Sequence, residues 1–210
     1  MAKIIYRVLQ IMPFSTNCYL VASDKTHDGM IIDPAGDAVG ILNNISDLNI
    51  RIGLIVVTHT HPDHIGAVAQ LKEQTKAEFA LHAAESGIIS QYINSQFSMF
   101  DPSFRPPPTP DRLLIDGDSL NIGDITFEVM HTPGHSIGGI CIAGYGVVFS
   151  GDTLFNMGIG RTDGPGGNHD LLLSSIRNKL LTLPEETVVL PGHGTKTTIG
   201  WEKQHNPFLH

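Results

Sequence analysis

The sequence predicts an α+β fold in which two β-sheets pack face to face and carry helices on their outer faces. Short runs rich in β-branched and aromatic residues recur in both halves of the chain, separated by turn residues. Each set of runs is accompanied by a segment with apolar residues at helical spacing. No low-complexity tract or linker separates the halves, so residues 1–210 are expected to form one domain.

In the first half, KIIYRVLQI, NCYLVAS and GMIIDP read as strands, the third ended by Asp33 and Pro34. Residues 37–48 place Val39, Leu42, Ile45 and Leu48 at helical intervals. GLIVVTH is a continuous apolar run, the pattern of a strand covered on both faces. IGAVAQLKEQTK, after His64, returns to helical periodicity, and AEFALHA to a strand. Residues 83–100 read as helical and then irregular, and the prolines of DPSFRPPPTPDR (101–112) exclude a helix or a central strand there. With Phe97, Phe100 and Phe104 beside it, that segment is expected either to wall a substrate cleft or to run as a plain surface connection. In the second half RLLIDGDSL, DITFEVMHT, GICIAGY and GVVFSGDT read as strands. A helix at about 169–181, the strand TVVLPGH and a short terminal helix follow.

Hydrophobic residues make up 41% and charged residues 16%, a balance that excludes a disordered chain. A formal charge of −8 with no Lys/Arg cluster argues against nucleic-acid and anionic-membrane partners. No apolar run reaches membrane-spanning length and the N-terminus lacks a signal-peptide pattern, so the expected location is cytoplasmic. Cys18 and Cys141 sit in apolar strand-like runs and are expected as reduced core thiols. Nothing in the sequence sets an oligomeric state.

The segment Thr58-His59-Thr60-His61-Pro62-Asp63-His64 carries the chemistry. It follows a buried strand and precedes a helix, and α/β proteins commonly bind ligands at such strand ends. His59 and His61, two apart on extended backbone, can face one cation. Pro62 breaks the alternation, so Asp63 and His64 turn toward a second position. His131, Asp152 and His193 each end a later strand and complete the candidate set. Neutral imidazoles and carboxylates suit zinc, iron or manganese. His135 is expected to orient its loop or a neighbouring ligand rather than to coordinate. Asp33 is expected either to hydrogen-bond a ligating histidine or to cap the following helix. His27, His205 and His210 read as surface residues, and His82 and His169 as structural ones.

These residues resemble the metallo-β-lactamase superfamily: THTHPDH, HTPGHS, SGDTLF and PGHG stand in its order and near its spacing. The resemblance implies a four-layer αββα sandwich with the site at one edge of two mixed sheets. It implies His59, His61 and His131 as ligands of a first metal, Asp63, His64 and His193 as ligands of a second, and Asp152 as the bridge. Two divalent ions follow, zinc foremost, with iron or manganese as alternatives. GIGRTDGPGG and TTIGWEKQHNPFL are similar to the short glyoxalase II-type hydroxyacylglutathione hydrolases. Full-length enzymes of that type add a C-terminal helical region that helps hold glutathione, and this chain stops too early for it. Where they use a Lys and a Tyr, Arg161 and Asp163 stand.

The function so implied is hydrolysis of a small thioester by water activated between two cations. Asp63 and Asp152 would act catalytically through the ions, Asp63 not being a free general base. Arg161 would either hold an anionic group of the acyl-thiol substrate or pair with Asp163 to fix its loop. The alternatives are an iron-dependent persulfide dioxygenase, a phosphodiesterase and a lactonase.

Overall fold

The structure, a computed structural model, describes residues 3–89 and 105–210. The expectations for Phe97, Phe100, Phe104 and most of 83–100 lie outside the described residues. The first sheet runs β1 (Ile4–Ile11), β2 (Thr16–Ser23), β3 (Asp28–Ile32), β4 (Arg51–Val56), β5 (Glu78–His82) and β6 (Arg112–Leu114) in spatial order. Its first two pairings are antiparallel, and β3–β4, β4–β5 and β5–β6 are parallel. The second sheet contains β7 (Ser119–Ile122), β8 (Ile125–His131), β9 (Ile140–Gly144), β10 (Val147–Gly151), β13 (Val188–Pro191) and β14 (Thr197–Thr198). Within it β10 and β13 are parallel and the other pairings antiparallel. A small hairpin of β11 (Leu154–Phe155) and β12 (Gly158–Ile159) follows β10.

Alternation along the strands sorts the apolar residues into three cores. Tyr19, Val21, Met30, Ile32, Phe127, Val129, Ile142, Phe149 and Leu190 meet between the sheets. Cys18, Leu20, Ile31, Phe79 and Leu81 point the other way, against α1 (Ala38–Asp47) and α3 (Val68–Thr75). Cys141, Val148 and Val189 pack against α4 (His169–Ser175), its π-helical continuation Ile176–Leu180, and α5 (Ile199–His205). The side-chain period of two is what lets each sheet bury both faces, and the layers are αββα. The two thiols are fully buried and free. No described helix is long and apolar enough to cross a membrane.

Three local expectations are corrected. Val39 is 70% exposed, while Ala38 and Ile41 are buried and Leu42, Ile45 and Leu48 pack partly against the core. A strict three-residue step drifts about 60° per repeat on a helix of 3.6 residues per turn, so Val39 falls off the stripe. The helix after His64 is two helices, α2 (Pro62–Ile65) and α3, broken where the Ala67 amide bonds Pro34 O at 2.8 Å. RLLIDGDSL, read as one strand, is the crossing between sheets: β6 belongs to one and β7 to the other, with Asp118 accepting from Ile115 N (3.0 Å) in the turn.

Phe149 sits unexposed between Tyr19 and Phe127, with ring centroids 5.1 and 6.1 Å away. Phe149→Ala should cost about 3–5 kcal/mol in urea unfolding. A loss below about 1 kcal/mol would contradict this packing.

Candidate metal centre

Strand direction gathers the candidate donors. β3 and β4 are parallel, as are β10 and β13, and two successive antiparallel pairings make β8 run with β10. The C-terminal ends of these strands therefore share one rim. Asp33 follows β3, His59 and His61 follow β4, Asp152 follows β10 and His193 follows β13. Asp33 holds the chain two residues past β4: its Oδ1 accepts from Thr58 N (2.7 Å) and its Oδ2 from Thr58 Oγ1 (2.8 Å).

Three ring nitrogens converge on one point. His59 Nε2 lies 3.0 Å from His61 Nδ1, and His135 Nε2 lies 2.9 Å from His61 Nδ1 and 3.3 Å from His59 Nε2. Nitrogens on a tetrahedral zinc at about 2.05 Å would stand about 3.3 Å apart. The opposite ring atoms set the tautomers. Thr58 Oγ1 gives its one hydrogen to Asp33, so at 3.1 Å it accepts from His59 Nδ1. His135 Nδ1 donates to Arg161 O at 2.7 Å. In both rings the inward Nε2 is left with a lone pair, the arrangement metal-ligating histidines require. Burial first, then the charges of neighbouring histidines, lower the pKa of His59, and burial and His135 lower that of His61. Both rings therefore stay neutral donors.

The second group is Asp63, His64 and His193. His193 Nε2 is 3.3 Å from Asp63 Oδ2, and His193 Nδ1 donates to Phe14 O at 3.2 Å. His64 is fully buried, its Nδ1 3.0 Å from Asp33 Oδ2 and its Nε2 3.5 Å from Asp152 Oδ1. Asp152 Oδ2 reaches between the groups, 3.6 Å from His135 Nε2 and 3.7 Å from His193 Nε2. Burial alone would lower His64, but the carboxylates of Asp152 and Asp33 outweigh it and push the ring up to about 9. Burial would raise Asp63, yet its hydrogen bond to His193 and the nearby ring charges hold it at about 2. His59 and His61 are thus kept neutral, whereas His64 sits in a field that favours positive charge.

The residues fit a metal. His64 Nε2 and Asp152 Oδ1 are buried without a hydrogen-bond partner, which buried polar atoms rarely are. The backbone also leaves room: a side chain at Gly192 would place its first carbon 2.3 Å from Asp152 Oδ1 and 2.8 Å from His64 Cε1.

The structure corrects one expectation. His131 is not beside His59 and His61, and His135 is. His131 still belongs to β8, paired with Ile140, and shares the inward parity of Phe127 and Val129. Its ring stacks on His82 at the end of β5 (centroids 3.9 Å apart), its Nε2 meets Ile137 O at 3.1 Å, and its amide donates to Asp116. Past the strand, Thr132-Pro133-Gly134 turns the chain and delivers His135 to the rim. Gly134 makes that turn at φ 132, against α4, where any side chain would meet the Leu172 backbone at 2.3 Å.

Asp33 does not cap α1, and its Oδ2 stands 3.0 Å from Nδ1 of the candidate ligand His64. Helix α1 is instead capped by Asp37, which accepts from Gly40 N at 3.0 Å. Arg161 pairs with Asp163 through two hydrogen bonds of 3.0 and 2.9 Å, both side chains being exposed. A cavity of about 500 Å³ opens here, lined by His61, Asp63, His135, Asp152, Phe155, Arg161, Asp163, Gly164 and His193.

Sequence reasoning missed the buried polar residues that hold these loops. Asn17 Nδ2 donates to Pro191 O and Gly194 O (both 2.9 Å) and Tyr19 donates to Pro191 O (2.7 Å), so β2 braces the loop of His193. The signal was a polar Asn opening an apolar run. Glu202, fully buried on α5, accepts from Thr197 Oγ1, Asn206 Nδ2 and Met157 N, tying down the hairpin that follows Asp152.

Two substitutions separate the histidines. His135→Ala should lose one bound ion per chain by elemental analysis, whereas His131→Ala should keep the stoichiometry of the unaltered protein. The reverse result would overturn the placement. Chelation should lower the unfolding temperature, since an ion at 100 times its dissociation constant stabilises the fold by about 2.7 kcal/mol.

Comparison with known proteins agrees with the geometry. The metallo-beta-lactamase superfamily pattern matches residues 11–193. The hydroxyacylglutathione hydrolase GloC of Haemophilus influenzae is 37% identical over 205 residues, covering 96% of each chain. The crystal structure of the B3 metallo-beta-lactamase BLEG-1 superposes with a TM-score of 0.86 at 40% identity, covering 98% of this chain and 99% of that one. The di-iron-bound form of TTHA1623 superposes with a TM-score of 0.87 at 35% identity, covering 97% and 100%. The chain belongs to the metallo-β-lactamase superfamily.

Proposed function

We propose that this chain is a metallohydrolase that cleaves a small thioester of the hydroxyacylglutathione type. In this reading His59, His61 and His135 hold one divalent ion, Asp63, His64 and His193 a second, and Asp152 stands between them. The observation that carries it is the pairing of two donor groups at one cavity whose described lining contains no Ser, Thr, Cys or Lys. That lining offers no hydroxyl, thiol or amine nucleophile, and in this reading Asp63, Asp152 and the histidines serve as ion donors, so the attacking group is water. A pair of divalent ions supplies ionised water near neutral pH and a Lewis acid for a carbonyl oxygen.

The chain's own residues position the rest. Asp63, held at about 2, stays a carboxylate donor and takes up no proton at neutral pH. Phe155, whose ring centroid lies 6.3 Å from that of His193, forms an apolar side of the cavity. The cavity volume falls within the range of about 300–1,000 Å³ usual for small-molecule sites. Support for a thioester comes from GloC, similar along nearly its whole length. β-Lactam hydrolysis is the second reading, favoured by the likeness to BLEG-1. Zinc is the first expectation for the ions; the di-iron form of TTHA1623 supports iron as the alternative.

The test joins metal analysis of the purified protein to assays with S-lactoylglutathione, a β-lactam, a lactone and a phosphodiester. Two ions per chain and preferred turnover of the thioester are expected. A single iron with oxygen uptake on glutathione persulfide would replace hydrolysis by a dioxygenase reaction. His61→Ala should abolish both metal retention and turnover. Asp152→Ala should lower kcat/KM at least about 100-fold, the equivalent of two tenfold steps in barrier height. Ordinary rates in either variant would refute the assignment.

A further inference from the structure

We propose that Glu85 is a positioning residue for the three-histidine half of the centre. It would hold the loops carrying His59, His61 and His135 at the separation an ion requires. This rests on reading the cluster as a metal centre. Glu85 lies in a 3-10 turn (Ala83–Glu85) just after β5 and is 1% exposed. One carboxylate oxygen accepts from Thr60 Oγ1, and the other accepts from Gly138 N at 2.9 Å. Thr60 stands between His59 and His61 and is buried. Gly138 lies three residues past His135. A side chain at Gly138 would bring its first carbon within 2.5 Å of Glu85 Cγ, so only glycine allows the carboxylate so close to that backbone.

The two loops come from different sheets, one leaving β4 and the other β8. Besides Glu85, the bond from Ile140 N to Thr58 O (2.9 Å) ties them together. Three nitrogens 2.9–3.3 Å apart leave little tolerance, since functional groups must be held within about 0.5 Å. A buried carboxylate is a poor stabiliser compared with an apolar side chain of its size. A geometric role explains its presence better than a contribution to stability. Asp33 does the corresponding work nearby, gripping Thr58 and lying against His64.

The test is a competition titration of metal-free protein with Zn²⁺ against a chromophoric chelator. The unaltered chain should take up two ions. Glu85→Ala should weaken one step roughly 10–100-fold, the usual cost of losing a group that orients a ligand, and leave the other step in place. Glu85→Gln should restore the weakened step to within a few-fold, because its carbonyl can accept from Gly138 N while its amide donates to the Thr60 hydroxyl. Amide hydrogen exchange at Gly138 in the metal-free protein gives a second readout, faster in Glu85→Ala and restored in Glu85→Gln. Should Glu85→Ala fail to fold, Thr60→Val removes one arm of the clamp at nearly constant volume and should weaken the same step less. Unchanged steps in whichever variant folds, equal weakening of both, or no rescue by Gln would each overturn the proposal. Failure of the unaltered chain to bind any ion would overturn the proposed function instead, and the Gly138 exchange rates would still decide whether Glu85 clamps the loops.

Discussion

Everything at the rim depends on crowding lone pairs and carboxylates together, some of them buried and some facing the cavity. Three ring nitrogens within 3.3 Å of one another cannot all be protonated, and burial together with their mutual charges keeps His59 and His61 neutral. A buried ring N–H left without a partner costs about 1–3 kcal/mol. The Thr58 hydroxyl, the Arg161 carbonyl and the Phe14 carbonyl are those partners for His59, His135 and His193. The same bonds that remove the penalty aim the lone pairs inward. Satisfying the backbone and orienting the donors are one act.

The sandwich makes that act possible through strand direction. Parallel pairing at the middle of the first sheet and between β10 and β13 brings several strand ends to one edge. Buried polar residues take up backbone groups there. Asn17 and Tyr19 reach from the first sheet to the last loop of the second, Asp33 holds the chain just past β4, and Glu202 anchors the hairpin after β10. These departures from an apolar core cluster at this one edge, as expected where local rules give way to function.

The sequence showed the layers clearly because both sheets bury both faces, so strands such as GLIVVTH and GVVFSG read as apolar runs. THTHPDH, Asp152 and His193 were visible because strand ends are where donors accumulate. His135 was missed for a physical reason. Counting put the donor at the last residue of β8, but that residue obeys strand parity and faces His82 across the sheets, and the tight turn at Gly134 carries the next histidine to the rim. β11, β12 and β14, two residues each, have no periodicity to read. Glu85 carried no signal in the sequence, since burial of a carboxylate depends on partners such as Gly138, distant along the chain.

Arg161 shows how such a site can keep its chemistry while its mouth changes. Its carbonyl oxygen receives the His135 N–H and so helps fix the inward nitrogen. Its guanidinium turns outward to Asp163, where the paired charges face solvent and contribute little to stability. The first function belongs to the backbone and survives any substitution that keeps the local fold. The second belongs to the side chain alone. A change of residue at 161 or 163 can therefore alter the charge offered to an incoming molecule without moving the donors behind it. The orienting bond of His59 has no such freedom, because Thr58 supplies it through its side chain and must also satisfy Asp33.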